Sequence, residues 1–157
     1  MIKNNLVMVL FAVLIGVFFG VSSVSFAEEM SQAKAIDVKG DVMFLKAGTS
    51  SWESLQKDMI LGEGDALKTG KYSEAKLTLF GNGKTGELLI REESQFDFKT
   101  LRHDATAKTD DTQLDVEIGS VLVKAEKLIG TSRFEVKTPT SIVGIRGTTF
   151  EVIVSKA

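Results

Sequence analysis

From residue 35 onward, apolar residues recur at every second position and are interrupted every eight to twelve residues by Gly, Pro, Asn or Asp, the rhythm of short half-buried strands. Ala35-Ile-Asp-Val-Lys-Gly-Asp-Val-Met-Phe-Leu45 is divided by Gly40-Asp41 into two strand-like pieces, after a short polar approach from Ser31 to Lys34. A turn-rich loop from Lys46 to Ser51 leads to Trp52, whose large ring suits a lid over a core edge. Between Leu55 and Gly70 three glycines fall within nine residues, so no helical stripe is sustained and short strands with tight turns are expected. Ala75, Leu77 and Leu79 alternate with Lys76, Thr78 and Phe80, and Asn82-Gly83 tolerates positive φ. That predicts an antiparallel hairpin between strands near 73–80 and 87–91, followed by a strand in which Phe96 and Phe98 share a face.

The alternation fails from Thr100 to Thr112, where a polar run predicts an exposed hairpin tip or mobile loop. It returns at Leu114, Val116 and Ile118, and Gly119-Ser120 turns the chain into Val121-Leu-Val-Lys-Ala125. The closing stretch places alternating runs at 134–137 and 148–154 around Pro139, Gly144 and Gly147, which reads as a strand, a shaped crossing and a second strand. With no amphipathic helix after residue 30, the fold class is all-β: a single compact domain of short antiparallel strands, sandwich-like or solenoid-like. A weak echo links Val38-Lys-Gly40-Asp-Val42 with Val116-Glu-Ile-Gly119-Ser-Val121, both alternating strands broken by a glycine and resumed. Glycine corners are common enough between strands that chance outweighs duplication as its origin.

The first residues follow a different pattern. Lys3 precedes an apolar run from Leu6 to Val21, then Ser22-Ser-Val-Ser-Phe-Ala27 with small residues at Ser25 and Ala27, which reads as a secretory signal cleaved after Ala27. Sixteen helical residues rise about 24 Å, short of a hydrocarbon core of roughly 30 Å. Residues 1–27 are thus expected to be a signal peptide and 28–157 an exported chain, periplasmic or extracellular, held at the membrane only if the leader is uncleaved.

The formal charge of −2 supplies no basic field for a phosphate backbone, so nucleic acid is not an expected partner. Without cysteine, thiol catalysis, disulfides and cysteine metal sites are excluded. His103, the single histidine, falls in the polar run and reads as a solvated loop residue without a nucleophile or an orienting group. Asp104, Asp110, Asp111 and Asp115 lack the alternate spacing and terminal Glu of a calcium loop, and a wet acidic loop accounts for them. Glu92 and Glu93 are adjacent and would point to opposite faces of a strand, so they do not form an acid and base pair. No catalytic residue, cofactor site or metal site is expected, and the chain reads as non-enzymatic. Arg146 lies in an apolar stretch between Gly144 and Gly147, two glycines that would let its backbone approach other chain closely. It is expected to be a buried structural charge, with Asp65 in its own glycine-bracketed turn as the candidate partner.

The order of these elements resembles the FecR-type exported domain over about residues 35–154: Val38 to Val42, Trp52, Leu61-Gly-Glu-Gly64-Asp65, Leu67-Lys-Thr-Gly70, Ser73 to Leu79, Gly119, Phe134 to Pro139, and Val143-Gly144-Ile-Arg146-Gly147-Thr148-Thr-Phe150. The resemblance implies a periplasmic or surface β-domain. It is best known in regulators that relay a signal from an outer-membrane iron-siderophore receptor to an extracytoplasmic sigma factor. Five residues ahead of the apolar run and three after Val154 lead to the expectation of a stand-alone module without a sigma-binding domain. The function expected is binding or sensing through an envelope or surface protein or a cell-envelope polymer. A cell-wall or polysaccharide-binding module, with Trp52, Tyr72 and Phe80 as its surface, or a structural envelope subunit are the alternatives.

Overall fold

The computed structural model describes residues 30–81 and 83–155, and the expected leader with its cleavage site lies outside them. Among the described residues the chain forms twelve strands and no helix: β1 (Gln32–Lys39), β2 (Val42–Leu45), β3 (Trp52–Ser54), β4 (Ile60–Leu61), β5 (Ala66–Thr69), β6 (Glu74–Gly81), β7 (Gly83–Ile90), β8 (Gln95–Asp104), β9 (Thr109–Ala125), β10 (Arg133–Lys137), β11 (Ile142–Ile145) and β12 (Thr149–Val154). They make two sheets that share one strand. The first runs β3-β2-β5-β8-β9-β10-β11 and the second β4-β1-β6-β7-β9-β12, with the first part of β9 in one and its last part in the other. Every pair is antiparallel except β9 with β10. The expected all-β, mainly antiparallel architecture is realised, with the two sheets continuous through β9.

Alternation decides which face each strand buries. Val42, Phe44, Leu67, Phe96, Phe98, Leu114, Val116, Phe134 and Val136 from the first sheet meet Ala33, Leu61, Leu77, Leu79, Leu88, Ile90, Val121 and Val123 from the second in one apolar core. Phe96 and Phe98 meet edge to face, with centroids 5.1 Å apart.

Two glycines carry the chain between the sheets by the same device. Gly40 (φ 75°) lies between β1 and β2, where Asp41 N–H donates to Ser73 Oγ at 2.8 Å, that hydroxyl donates to Lys71 O at 3.0 Å, and Gly70 N–H donates to Asp41 O at 2.8 Å. Gly119 (φ 100°) lies within β9, where Ser120 N–H donates to Ser94 Oγ at 3.0 Å, that hydroxyl reaches Glu92 O at 3.3 Å, and Arg91 N–H donates to Ser120 O at 3.0 Å. The sequence echo therefore marks two equivalent corners. A Cβ at Gly119 would stand 2.3 Å from Ser94 Cα, so the corner needs glycine for space as well as for φ.

Several local expectations change. Ser31 to Lys34 are largely strand rather than a polar approach, because Ala33 sits between Leu79 and Leu61 of the neighbouring strands. The hairpin at 82–83 forms, but its second strand starts at Gly83 (φ 83°); Asn82 lies outside the described residues. The polar run at 100–112 is mostly paired strand, with Arg102, His103 and Asp104 opposite Asp111, Asp110 and Thr109, and only its tip is a turn. Glu92 and Glu93 sit in a turn, where Glu93 takes φ 52°.

Candidate functional site

The closing motif builds a projecting hairpin. Its turn, between β10 and β11, uses Pro139, whose fixed φ suits the second position of a four-residue turn closed by Thr138 N–H donating to Ser141 O at 2.8 Å. Thr138 Oγ1 also accepts from Ser141 N–H at 3.0 Å. From this turn β11 returns along β10 in the register Lys137↔Ile142, Val136↔Val143, Glu135↔Gly144 and Phe134↔Ile145. Ile145 is buried against the core, whereas Ile142, Val143 and Gly144 are exposed.

Among the described residues β11 has no strand on its other side. In an antiparallel ladder bonded and non-bonded pairs alternate, and the bonded pair at Thr138 and Ser141 fixes the phase. The N–H and C=O groups of Val143 and Ile145 therefore face β10, and those of Ile142 and Gly144 face outward. A Cβ at Gly144 would meet nothing within 4 Å, so this glycine opens the edge, which corrects the expectation that it permits close approach to other chain. Gly147 is the tight position: its φ is 84°, and a Cβ there would lie 2.8 Å from Lys127 Cα. Beyond it, Thr148 O accepts from Ala125 N–H at 3.1 Å and seats β12 on the second sheet.

Arg146 is exposed at this corner and makes no ion pair among the described residues, which corrects the expectation of a buried structural charge. The corner at Gly147 turns its side chain out of the core. Asp65 does not reach it. That carboxylate is fully buried and accepts from Lys46 Nζ at 2.7 Å, Ala47 N–H at 2.8 Å and Gly62 N–H at 2.8 Å, while Gly64 beside it takes φ 83°. Gly70 lies at another turn, where its N–H donates to Asp41 O.

Trp52, Tyr72 and Phe80 do not converge. Trp52 is half-buried on the outer face of the first sheet, with Lys68 Nζ 4.2 Å from its ring centroid, so it covers a sheet face and not a core edge. Tyr72 is 91% exposed beyond one end of β6, and Phe80 lies at the other end, about 20 Å of strand away.

His103 is 5% exposed rather than solvated, because β8 continues past it and its Nδ1 lies 3.0 Å from Asp110 Oδ1 on the paired strand. The remaining acids of this region are also engaged. Asp104 accepts from Thr106 N–H and Ala107 N–H, Asp111 from Arg133, and Asp115 from Gln113. Among the described residues no group of three His, Cys, Asp or Glu side chains is placed to hold a metal ion. Glu63 receives both the guanidinium of Arg102 and Leu101 N–H; the Arg102 hydrogen bond holds its carboxyl below the ordinary range.

The signal for the outward edge lay in Ile142-Val-Gly-Ile145, four residues without a charge, but pairing on one side only cannot be read from spacing. Comparison with protein families matches residues 65–157 to the family described as FecR protein. No curated protein and no solved structure matches the chain.

Proposed function

The chain belongs to the FecR family, and on that premise we propose that it is a non-enzymatic exported module that binds or senses an envelope or surface protein. The family itself points to a signalling or regulatory role. The observation that carries the contact reading is the uncharged edge of β11, unpaired among the described residues and ending at Arg146. Such an edge offers both backbone hydrogen bonds and apolar contact to another chain. A polymer-binding module finds less support, since its three candidate aromatics share no groove. A structural envelope subunit would use the same edge to bind its own copies, and oligomeric state separates that reading from this one.

Fractionation of producing cells followed by pull-down from the envelope tests the proposal. The expected result is a chain beginning at Glu28 in the periplasmic or extracellular fraction, with one envelope protein co-purifying in near-stoichiometric amount. Retention on washed peptidoglycan sacculi with no protein bound would move the function to the cell wall, and a cytosolic chain with an intact leader would refute export.

A further inference from the structure

The free edge of β11 differs from the other ends of the two sheets. β3 has three residues and contains Glu53, β4 has two, and β12 holds Glu151 in mid-strand, bonded to Arg91 and Ser120. Short length and mid-strand charge both discourage pairing with another chain. β11 is only slightly longer, at four residues, but it carries no charge, and its Ile142 is 66% exposed. Of the four arginines, Arg91, Arg102 and Arg133 each hold a carboxylate, at 3.1, 2.8 and 3.0 Å. Arg146, just past the end of β11, holds none among the described residues.

Resting on the protein-contact reading above, we infer that β11 is a strand-addition site for an extended segment of another protein, bonded to the backbone of Ile142 and Gly144, with a carboxylate of that segment on Arg146. Unbonded edge groups give such a segment its affinity, and the apolar and cationic positions give it a register. Gly144 leaves room on its face for a large partner side chain. The guanidinium at one end favours an acidic residue or a chain terminus there, since its planar fork accommodates both carboxylate oxygens. A second copy of this chain meets that requirement poorly. Antiparallel pairing of β11 with itself through its outward groups sets Arg146 opposite Thr138, Thr140 or Ile142, none of them acidic.

The test places a photoreactive residue at Ile142 of the full chain in producing cells, with a second variant carrying it at Tyr72 on a different part of the surface. Irradiation at Ile142 is expected to join the chain to one segment of a different protein that contains an acidic residue or its own terminus. Gly144→Pro, which removes an outward N–H without touching the β10 ladder, and Arg146→Glu should each lower that yield about tenfold, the loss of one charge-assisted or backbone bond. Reversing the partner's acid to Arg should restore the Arg146→Glu variant, and both variants should melt like the parent. Cross-linking to a protein only from Tyr72 would overturn strand addition while leaving the protein-contact reading standing. Cross-linking at Ile142 to a copy of the chain, or with a yield indifferent to both substitutions, would overturn it too. Absence of any protein product at either position would remove the contact reading itself.

Discussion

Replacing Asp65 by Ala removes the acceptor that holds two turns together. Its carboxylate is fully buried and receives Ala47 N–H and Gly62 N–H, both at 2.8 Å, besides Lys46 Nζ at 2.7 Å. Lys46 is half exposed, with 52% of its side chain open to water, so it regains solvent when the acid is gone and its share is below about 1 kcal/mol. Each of the two backbone N–H groups bonded to this buried charge is worth about 1.5–3 kcal/mol, which puts the cost of Asp65→Ala at about 3–6 kcal/mol. Asp65→Asn retains one acceptor oxygen but turns an amide donor toward the second N–H, so it should recover little. Lys46→Ala should cost less than about 1 kcal/mol. Urea unfolding followed by far-ultraviolet circular dichroism ranks the three variants. If Lys46→Ala costs as much as Asp65→Ala, the ion pair and not the backbone holds these turns, and the reasoning fails.

Gly119→Ala combines a strained φ of 100° with a Cβ 2.3 Å from Ser94 Cα and should cost about 3 kcal/mol or more by thermal unfolding. Gly40→Ala, whose Cβ would stand 3.0 Å from Ser73 Cα, should cost less; the reverse order would show that clearance from the serine backbone does not set the cost at these corners. Asp97 lies opposite Asp115 across β8 and β9, and burial, then that neighbour, raises its carboxyl above the ordinary range. Because the folded form binds its proton more tightly, the charged acid weakens the fold above that raised range and the penalty fades as pH falls toward the ordinary one, so Asp97→Asn should raise the melting temperature at pH 7 and lose the gain in acid. Arg146→Ala should melt within about 2 °C of the parent, as expected of an exposed side chain outside any ion pair; a large fall would return Arg146 to a structural role.

Alternation and turn chemistry make most strands legible, because burying one face of a strand leaves a period of two in the residues themselves. Ala75, Leu77 and Leu79, then Phe96 and Phe98, fall on the core face as their spacing requires. What spacing cannot show is which strand lies beside which. His103 reads as solvated because its neighbours in the chain are polar, yet pairing with Asp110 and cover from other strands bury it. Arg146 reads as buried because its neighbours are apolar, yet among the described residues those neighbours form an edge with no strand beyond it. The partner of Asp65 is equally out of reach, since Lys46 belongs to a loop that only the folded chain brings beside it.

β9 belongs to both sheets, so neither can come apart without pulling on the ladder that holds the other. Partial opening should therefore be confined to segments that do not touch this strand, chiefly β3 and β4, while amides along β9 exchange only through loss of the whole fold. A strand captured at β11 would sit three ladders from β9, across β11 and β10, and the free energy of its capture would reach the entire domain as resistance to unfolding.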